Sequence, residues 1–249
     1  MFGKLKLNRI IMIVISLVIA WSLKYHYSHS SSDDLAWILA PTSYLVQMTG
    51  DMTFIKEVNT GYVNNERDII IAPSCSGVNF MIIVFCLSAY TGLKRIKSTP
   101  MQIMWITGSI LTSYIYTLLV NTFRISLSIY SIKTEFLQAW FSRETVHLFE
   151  GVLVYFIFLL IYNHLLNRSI NPDNPRISQK PFLLIRKFFI PLSFYLSFTL
   201  LVPILNHGGF PPNKDFTGFA FIVLTSCTIV LVLFFLLKAC CHYVAVRVK

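Results

Sequence analysis

Residues 72–93 have the sequence APSCSGVNFMIIVFCLSAYTGL, a polar turn followed by a predominantly apolar run. The apolar run, Val78–Leu93, carries no charged side chain and approaches the roughly 17 to 25 residues that a helix needs to cross a bilayer. We therefore expect a membrane-spanning helix whose polar turn, which contains Cys75, lies at one face of the membrane.

The rest of the chain has the same apolar character. Hydrophobic residues make up 55% of its 249 residues and charged residues 13%, whereas average soluble domains carry roughly 25% charged residues. This composition predicts an all-α polytopic membrane protein with about six transmembrane helices and a small outer cap segment. The six predicted spans are Leu7–Leu23, Val78–Leu93, Met101–Val120 (with an extension to Ile132 left open), Val146–Leu166, Phe188–Leu205 and Phe219–Leu237.

The orientation in the membrane follows from the basic residues. They cluster before the first span, between spans two and three, between spans four and five, and after the sixth, while most acidic residues lie in the other loops. The positive-inside rule then places both termini in the cytoplasm and residues 24–77, 121–146 and 206–218 outside. The same loops account for the net charge of +10, so we expect no nucleic-acid partner.

We expect a single membrane domain over residues 1–249. Residues 1–24 form the first span, residues 25–72 the outer cap, residues 72–166 the core with the candidate site, and residues 167–249 two accessory spans. The first span has a basic lead but no evident small-residue cleavage site, which favours a signal anchor over a removable signal peptide.

The outer cap is expected to be a small folded segment that delivers the chain to the polar turn. Its predicted features are a short helix from Leu35 towards Met48, capped by Asp33 or Asp34, broken near Pro41 and ended by Gly50, and then a β-like run, Asp68–Ile71.

Cys75 is the first candidate site residue. It is the sole cysteine expected on the outer side, because Cys86 and Cys227 fall inside spans and Cys240 and Cys241 lie on the cytoplasmic side. An unpaired thiol facing an oxidising compartment is a candidate reactive group, and an inert small residue at a helix start is the alternative. With the preceding serine as N-cap, the helix would begin at or next to the thiol, where the helix dipole favours a thiolate.

Arg124 and His147 reach the same membrane face, because successive spans alternate in direction. Arginine is costly in a membrane and tends to face a partner or a cavity. Arg124 can stabilise an oxyanion, hold a substrate carboxylate, or simply extend to the headgroups. His147 opens the fourth span at the expected depth of Cys75, and a Cys–His pair is an established way to activate a nucleophile, although a lone interfacial histidine is often incidental.

Three further residues are weaker candidates for supporting roles. Asn121 lies one helical turn before Arg124 on the same face, where it can donate a hydrogen bond or orient the arginine. Glu150 lies one turn after His147 and can orient the imidazole or pair with Arg124 or another nearby arginine. Ser76 can help to cap the helix or can be a simple filler. The residues imply no metal and no cofactor.

The motifs in this order resemble the exosortase/archaeosortase family of transmembrane cysteine proteases and transpeptidases. They are Pro73–Gly77 (PSCSG), Asn121–Ile125 (NTFRI), and His147 with Gly151, on successive spans, and the resemblance covers roughly Ala72–Leu166. It implies that Cys75 is the nucleophile, His147 the general acid/base and Arg124 the residue that stabilises substrate or intermediate.

The resemblance also implies the substrates and the location. Members of the family recognise a C-terminal tail made of a short motif, a transmembrane helix and a basic cluster, cut near the motif and pass the acyl group to an acceptor. The expected partners are therefore tail-anchored exported proteins, membrane lipids, and an envelope glycan or lipid acceptor. The expected location is the cytoplasmic (inner) membrane, with the active site on its periplasmic or outer face. A single span before Cys75 and two spans after the histidine region leave the subtype and the recognised motif open.

Other functions are less consistent with the sequence. A zinc protease would need a His-Glu-x-x-His helix, which is absent. A lipid-phosphate phosphatase is disfavoured, because Arg143 and His147 are too close together and a second histidine motif is missing. A non-enzymatic small transporter or envelope assembly factor is the remaining alternative, but the spans are nearly free of charge in mid-membrane and no inverted repeat is evident.

Overall fold

The protein is described by a computed structural model, which covers residues 2–50, 52–66, 69–131, 142–170, 181–206 and 214–247. Its main helices are α1 (Phe2–His29), α2 (Ala36–Thr49), α3 (Val78–Leu93), α4 (Thr99–Ser131), α5 (Arg143–Ile170), α6 (Pro181–Leu196) and α7 (Lys214–Arg247). After α6, a π-helical turn, Ser197–Leu201, leads into a last helical turn, Val202–Asn206. Three short strands lie between α2 and α3: β1 (Ile55–Glu57), β2 (Gly61–Asn64) and β3 (Ile69–Ile71).

The expected class, an all-α polytopic membrane protein, is confirmed. Among the described residues, 5 helical stretches are long and apolar enough to cross a membrane, and the shorter apolar stretch Phe188–Ile204 coincides with the predicted fifth span. The predicted second span agrees with α3 at both ends. The helical segments that contain the other predicted spans extend beyond the predicted bounds, because the polar residues at their ends also have helical backbone. The extension of the third span is confirmed as far as Ser131, and Ile132 lies outside the described residues.

The second span, α3, is the central helix of the bundle. Of the most apolar 18-residue window in Pro73–Leu93, 89% is buried, against 17% to 28% in the other four stretches. Because α3 packs against α1, α4, α5 and α6, almost all of its side chains contact protein rather than lipid. The surrounding helices keep apolar faces exposed, as expected for helices that border lipid.

The predicted cap segment combines α2 with an antiparallel sheet in the order β1-β2-β3. Gly50 follows the last residue of α2, and the predicted β-like run is β3, although Asp68 lies outside the described residues. The prediction that Asp33 or Asp34 caps α2 is wrong. Asp34 instead accepts hydrogen bonds from Ser31, and Asp33 forms an ion pair of 2.6 Å with Lys56 in β1.

The predicted break near Pro41 is also wrong, because α2 continues through this residue. Proline lacks an N–H group and leaves the carbonyl four residues earlier without its helical partner. Here that carbonyl belongs to Trp37, and it accepts a hydrogen bond of 2.8 Å from the Tyr114 hydroxyl of α4. The bond from α4 replaces the missing one and ties the cap to the membrane bundle.

The inward face of α4 carries the polar residues of the bundle. Buried polar side chains recur every three or four residues along it, which is the spacing of one helical face: Ser109, Ser113, Thr117, Asn121, Arg124 and Ser128. This periodicity confirms that Asn121 and Arg124 share a face. It also places Arg124 inside the helix rather than beyond its end.

Candidate active site

Cys75 lies in a tight turn that immediately precedes α3. The turn Pro73–Cys75 is a 3₁₀ helix, held by hydrogen bonds from the Cys75 amide to the Ala72 carbonyl (2.8 Å) and from the Ser76 amide to the Pro73 carbonyl (3.0 Å). The expected helix start at Cys75, with Ser74 as N-cap, is wrong. Gly77 has a φ of 74°, in the left-handed region, and this conformation separates the turn from the first residue of α3.

Glycine is required at position 77 for space as well as for backbone conformation. A β-carbon at this position would lie 3.2 Å from Cγ of Asn121, Cγ2 of Thr117 and the hydroxyl of Tyr155. The missing side chain therefore lets the turn approach α4 and α5 closely, and this approach positions Cys75 between the two helices.

Asn121 holds the turn in place. Its Nδ2 donates a hydrogen bond of 2.6 Å to the Cys75 carbonyl, and its Oδ1 accepts one of 2.8 Å from the Tyr155 hydroxyl. The side chain is fully buried. Because Nδ2 bonds to the turn and Oδ1 bonds to Tyr155 of α5, the Asn121 side chain of α4 fixes the Cys75 backbone relative to both helices.

Arg124 is 7% exposed and lies beside the Cys75 thiol. Its guanidinium carbon is 5.2 Å from the centre of the Tyr155 ring, and a β-carbon added to Gly151 would lie 3.5 Å from Nη1. Nε and Nη2 are buried without a hydrogen-bond partner in the described part of the chain. Buried donors are normally satisfied, so these two N–H groups are available to an oxygen of a bound molecule.

His147 lies close enough to Cys75 for the two side chains to interact. Its ring is exposed, and Nδ1 is 2.6 Å from the buried hydroxyl of Ser128 in α4. Since the hydroxyl occupies Nδ1, Nε2 is the ring nitrogen left for the thiol. Cys75, Arg124 and His147, which come from three consecutive helical segments, therefore meet at one end of the bundle.

The other two supporting candidates, Ser76 and Glu150, have surroundings that differ from those of Asn121. Ser76 is fully buried, accepts a weak hydrogen bond of 3.4 Å from the Val78 amide, and interacts with Tyr27 of α1. Glu150 makes no hydrogen bond or ion pair to His147 or Arg124, and its Oε2 is buried without a partner among the described residues. The orienting role for Glu150 stays a prediction, and the side chain of Arg143 lies outside the described ones.

Ser128 and Tyr155 are not among the site residues predicted from the sequence, although helical spacing points to both. Ser128 lies four residues after Arg124, and Tyr155 lies four residues after Gly151, which itself lies four residues after His147. Residues four apart share a helix face, so both residues belong to faces that already carried candidates. No group of three or more His, Cys, Asp or Glu side chains that could hold a metal is present among the described residues.

Comparison with known proteins gives one positive result. No curated protein and no solved structure matches this chain. The family model for transmembrane exosortases matches residues 4–163, a segment that includes every candidate site residue and most of α1 to α5. The chain therefore belongs to the transmembrane exosortase family of membrane-embedded sorting enzymes.

Proposed function

We propose that this protein is a cysteine protease and transpeptidase that cleaves the C-terminal sorting tails of exported proteins at the outer face of the cytoplasmic membrane. The observation that carries the proposal is the convergence of Cys75, His147 and Arg124 at one end of the bundle. Such an arrangement supplies a nucleophile, a general base and a fixed positive charge, which are the groups needed for acyl transfer.

The reaction begins with the Cys75 thiol. Nε2 of His147 accepts the thiol proton, while the buried positive charge of Arg124 stabilises the thiolate. The thiolate sulfur attacks the carbonyl carbon of the scissile peptide bond, and the carbonyl oxygen becomes an oxyanion. The hydrogen bond between Nδ1 of His147 and Ser128 keeps the ring in position.

Arg124 is the group that receives the oxyanion. Its Nε and Nη2 have no partner among the described residues, and two parallel N–H donors of a guanidinium suit an oxygen that gains charge. When the intermediate collapses, the carbon–nitrogen bond breaks, and His147 gives its proton to the departing amine of the tail. A thioester with Cys75 remains.

The thioester is then resolved by an acceptor. An amine, an envelope glycan, a lipid or water attacks the acyl carbon, His147 takes the proton of the nucleophile, and the Cys75 sulfur leaves and is reprotonated. Transfer and hydrolysis share every step except the identity of this second nucleophile. The basic loops favour cytoplasmic termini, which supports a site at the outer interface, where a tail helix would present its scissile bond.

Membrane proteomics of the native host tests this function. We expect the Cys75→Ala variant to accumulate uncut proteins that end in an apolar helix and a basic cluster, whereas the wild type releases them. Cys86→Ala is the matched control, because Cys86 is a buried cysteine inside α3 and its loss should leave processing intact. If Cys75→Ala is folded and present in the membrane but no tail protein changes, Cys75 is not the nucleophile, and the transporter or assembly-factor alternative is favoured.

A further inference from the structure

A groove of about 530 Å³ lies between α4 and α5, beyond the catalytic residues. Its lining is mainly apolar and includes Met101, Met104, Gly108, Ile115 and Leu119 of α4 and Leu165 of α5. We propose that this groove binds the transmembrane helix of the sorting tail, an assignment that rests on the proposed function and specifies where its substrate lies.

The length of the groove fits a membrane-spanning helix. From Met101 to Leu119, α4 extends about 27 Å at about 1.5 Å per residue, close to the roughly 30 Å of the hydrocarbon core. A helix that lay along this face would therefore be in contact with the groove for nearly the whole thickness of the membrane.

The upper end of the groove lies near the depth of the catalytic residues. Leu119 precedes Asn121 by about 3 Å and Arg124 by about 8 Å along the helix axis, and the exposed Phe123 continues the outward face of Leu119. The Phe123 ring packs 5.4 Å from the ring of Phe158 in α5. A tail helix in the groove would end at this aromatic pair, so the peptide bond that precedes the helix would lie near the depth at which Asn121 holds Cys75.

The middle of the groove permits close approach of another backbone. A β-carbon added to Gly108 would meet no atom within 4 Å, and Thr112 lies one turn further along the groove. Two small residues spaced in this way are typical of helix–helix contacts in membranes, where packing provides much of the association energy. Exposed apolar faces also occur on α1 and α7, and α7 has an open glycine of its own, Gly218. The concave shape and the end near the depth of the site distinguish the α4–α5 face.

Charge pairing with a basic tail does not explain binding at the Met101 end of the groove. The loop after α3 carries Lys94, Arg95 and Lys97, which would repel rather than bind a basic cluster. Recognition in the groove therefore depends on packing, and the basic cluster of a tail sets its depth in the membrane through the positive-inside rule.

Photo-crosslinking in the native host tests the groove. In the Cys75→Ala background, p-benzoylphenylalanine replaces Ile115, which is 49% exposed in the groove, or Leu224, which is 47% exposed on α7 and serves as the control. We expect Ile115 crosslinks to peptides from the C-terminal helix of the proteins that accumulate uncut, and no such crosslinks from Leu224. Crosslinks from Ile115 only to lipid, or only to a second copy of this chain, would overturn the assignment.

A pair of glycine variants tests the groove in the otherwise unchanged protein. Gly108→Leu fills the groove, whereas Gly218→Leu adds the same side chain to α7 at a position that is equally open, with no atom within 4 Å of the added β-carbon. We expect Gly108→Leu to slow tail cleavage by about tenfold, which corresponds to about 1.4 kcal/mol of lost binding free energy, and Gly218→Leu to leave it unchanged. Equal cleavage by both variants would exclude the groove.

Tail cleavage by the wild-type protein in the same membranes distinguishes failure of the groove assignment from failure of the proposed function. If the wild type cuts tail proteins, but Ile115 yields no tail crosslinks and Gly108→Leu cuts at the normal rate, the groove assignment is wrong and the proposed function stands. If no tail protein depends on Cys75, the proposed function fails and the groove assignment fails with it.

Discussion

The Ser128 hydroxyl of α4 lies 2.6 Å from Nδ1 of His147 in α5. This contact joins the helix that carries Arg124 to the helix that carries the imidazole, and it leaves Nε2 as the ring nitrogen available to Cys75. A base that takes a proton at Nε2 must carry its own hydrogen at Nδ1. Ser128 is therefore expected to accept a hydrogen bond from Nδ1 and to hold both the tautomer and the ring orientation.

Replacing Ser128 with alanine should slow tail cleavage without abolishing it. We expect a loss of about tenfold, smaller than the loss from His147→Ala, because general base catalysis contributes about 100-fold to 10,000-fold. Ser128→Thr keeps the hydroxyl and should restore most of the rate. Ser126→Ala is the matched control, since Ser126 contacts Thr49 of the cap. A cleavage assay with an identified tail protein measures these effects. If Ser128→Ala cleaves at the same rate as Ser126→Ala, Ser128 does not position His147.

The Asn121 side chain should be essential for the geometry of the Cys75 turn. Asn121→Asp places an oxygen where Nδ2 now donates to the Cys75 carbonyl. We expect it to destabilise the protein by about 1 to 3 kcal/mol, the cost of an unsatisfied buried polar group. Tyr155→Phe removes only the hydroxyl bond to Asn121 and keeps a ring beneath Arg124, so its effect should be smaller. Thermal unfolding in detergent distinguishes the variants, and equal unfolding temperatures for both would contradict the role of Asn121.

The membrane class could be predicted from the sequence, as could the three candidate site residues that the fold brings together, because their signals are local. Apolar length indicates a span, and a polar motif beside a span indicates a face of the membrane. The turn geometry was not predictable in the same way. The left-handed Gly77 and the bond from Tyr114 to the Trp37 carbonyl depend on side chains that are distant in sequence. Serine as a helix cap is a sound local rule, but packing against Asn121 and Tyr155 overrides it here.

We expect the buried Arg124 side chain to lower the stability of the protein, although cleavage needs it. Burying a charge is costly unless the charge is paired and hydrogen-bonded, and Nε and Nη2 of Arg124 have no hydrogen-bond partner among the described residues. We therefore expect Arg124→Met to leave the unfolding temperature unchanged or to raise it, but to lower cleavage by about 100-fold to 1,000-fold, as for loss of an oxyanion donor. Arg124→Lys keeps the charge but loses the guanidinium fork, and it should also cleave poorly. The exposed Arg168→Met serves as control, and full activity of Arg124→Met would exclude the assigned role.

Thiol labelling should reveal both the accessibility of Cys75 and the side of the membrane on which it lies. Cys86 and Cys227 are 6% and 3% exposed, whereas Cys75 is partly exposed. In a Cys240→Ser, Cys241→Ser background, a membrane-impermeant maleimide added to intact cells with a permeabilised outer envelope should label Cys75 alone. Inside-out vesicles should show little labelling. Efficient labelling of Cys75 only in inside-out vesicles would reverse the proposed orientation.

Gly77 should tolerate no side chain. A non-glycine residue in the left-handed region costs about 1 to 2 kcal/mol, and the new β-carbon would press against Asn121, Thr117 and Tyr155 at 3.2 Å. We expect Gly77→Ala to lower the unfolding temperature and to displace Cys75. The cleavage rate should therefore fall by more than the loss of folded protein explains. Gly218→Ala is the control, because its β-carbon meets nothing within 4 Å and alanine favours a helix over glycine by up to about 1 kcal/mol. If Gly77→Ala unfolds and cleaves like Gly218→Ala, the close approach of the turn to α4 and α5 does not position the thiol.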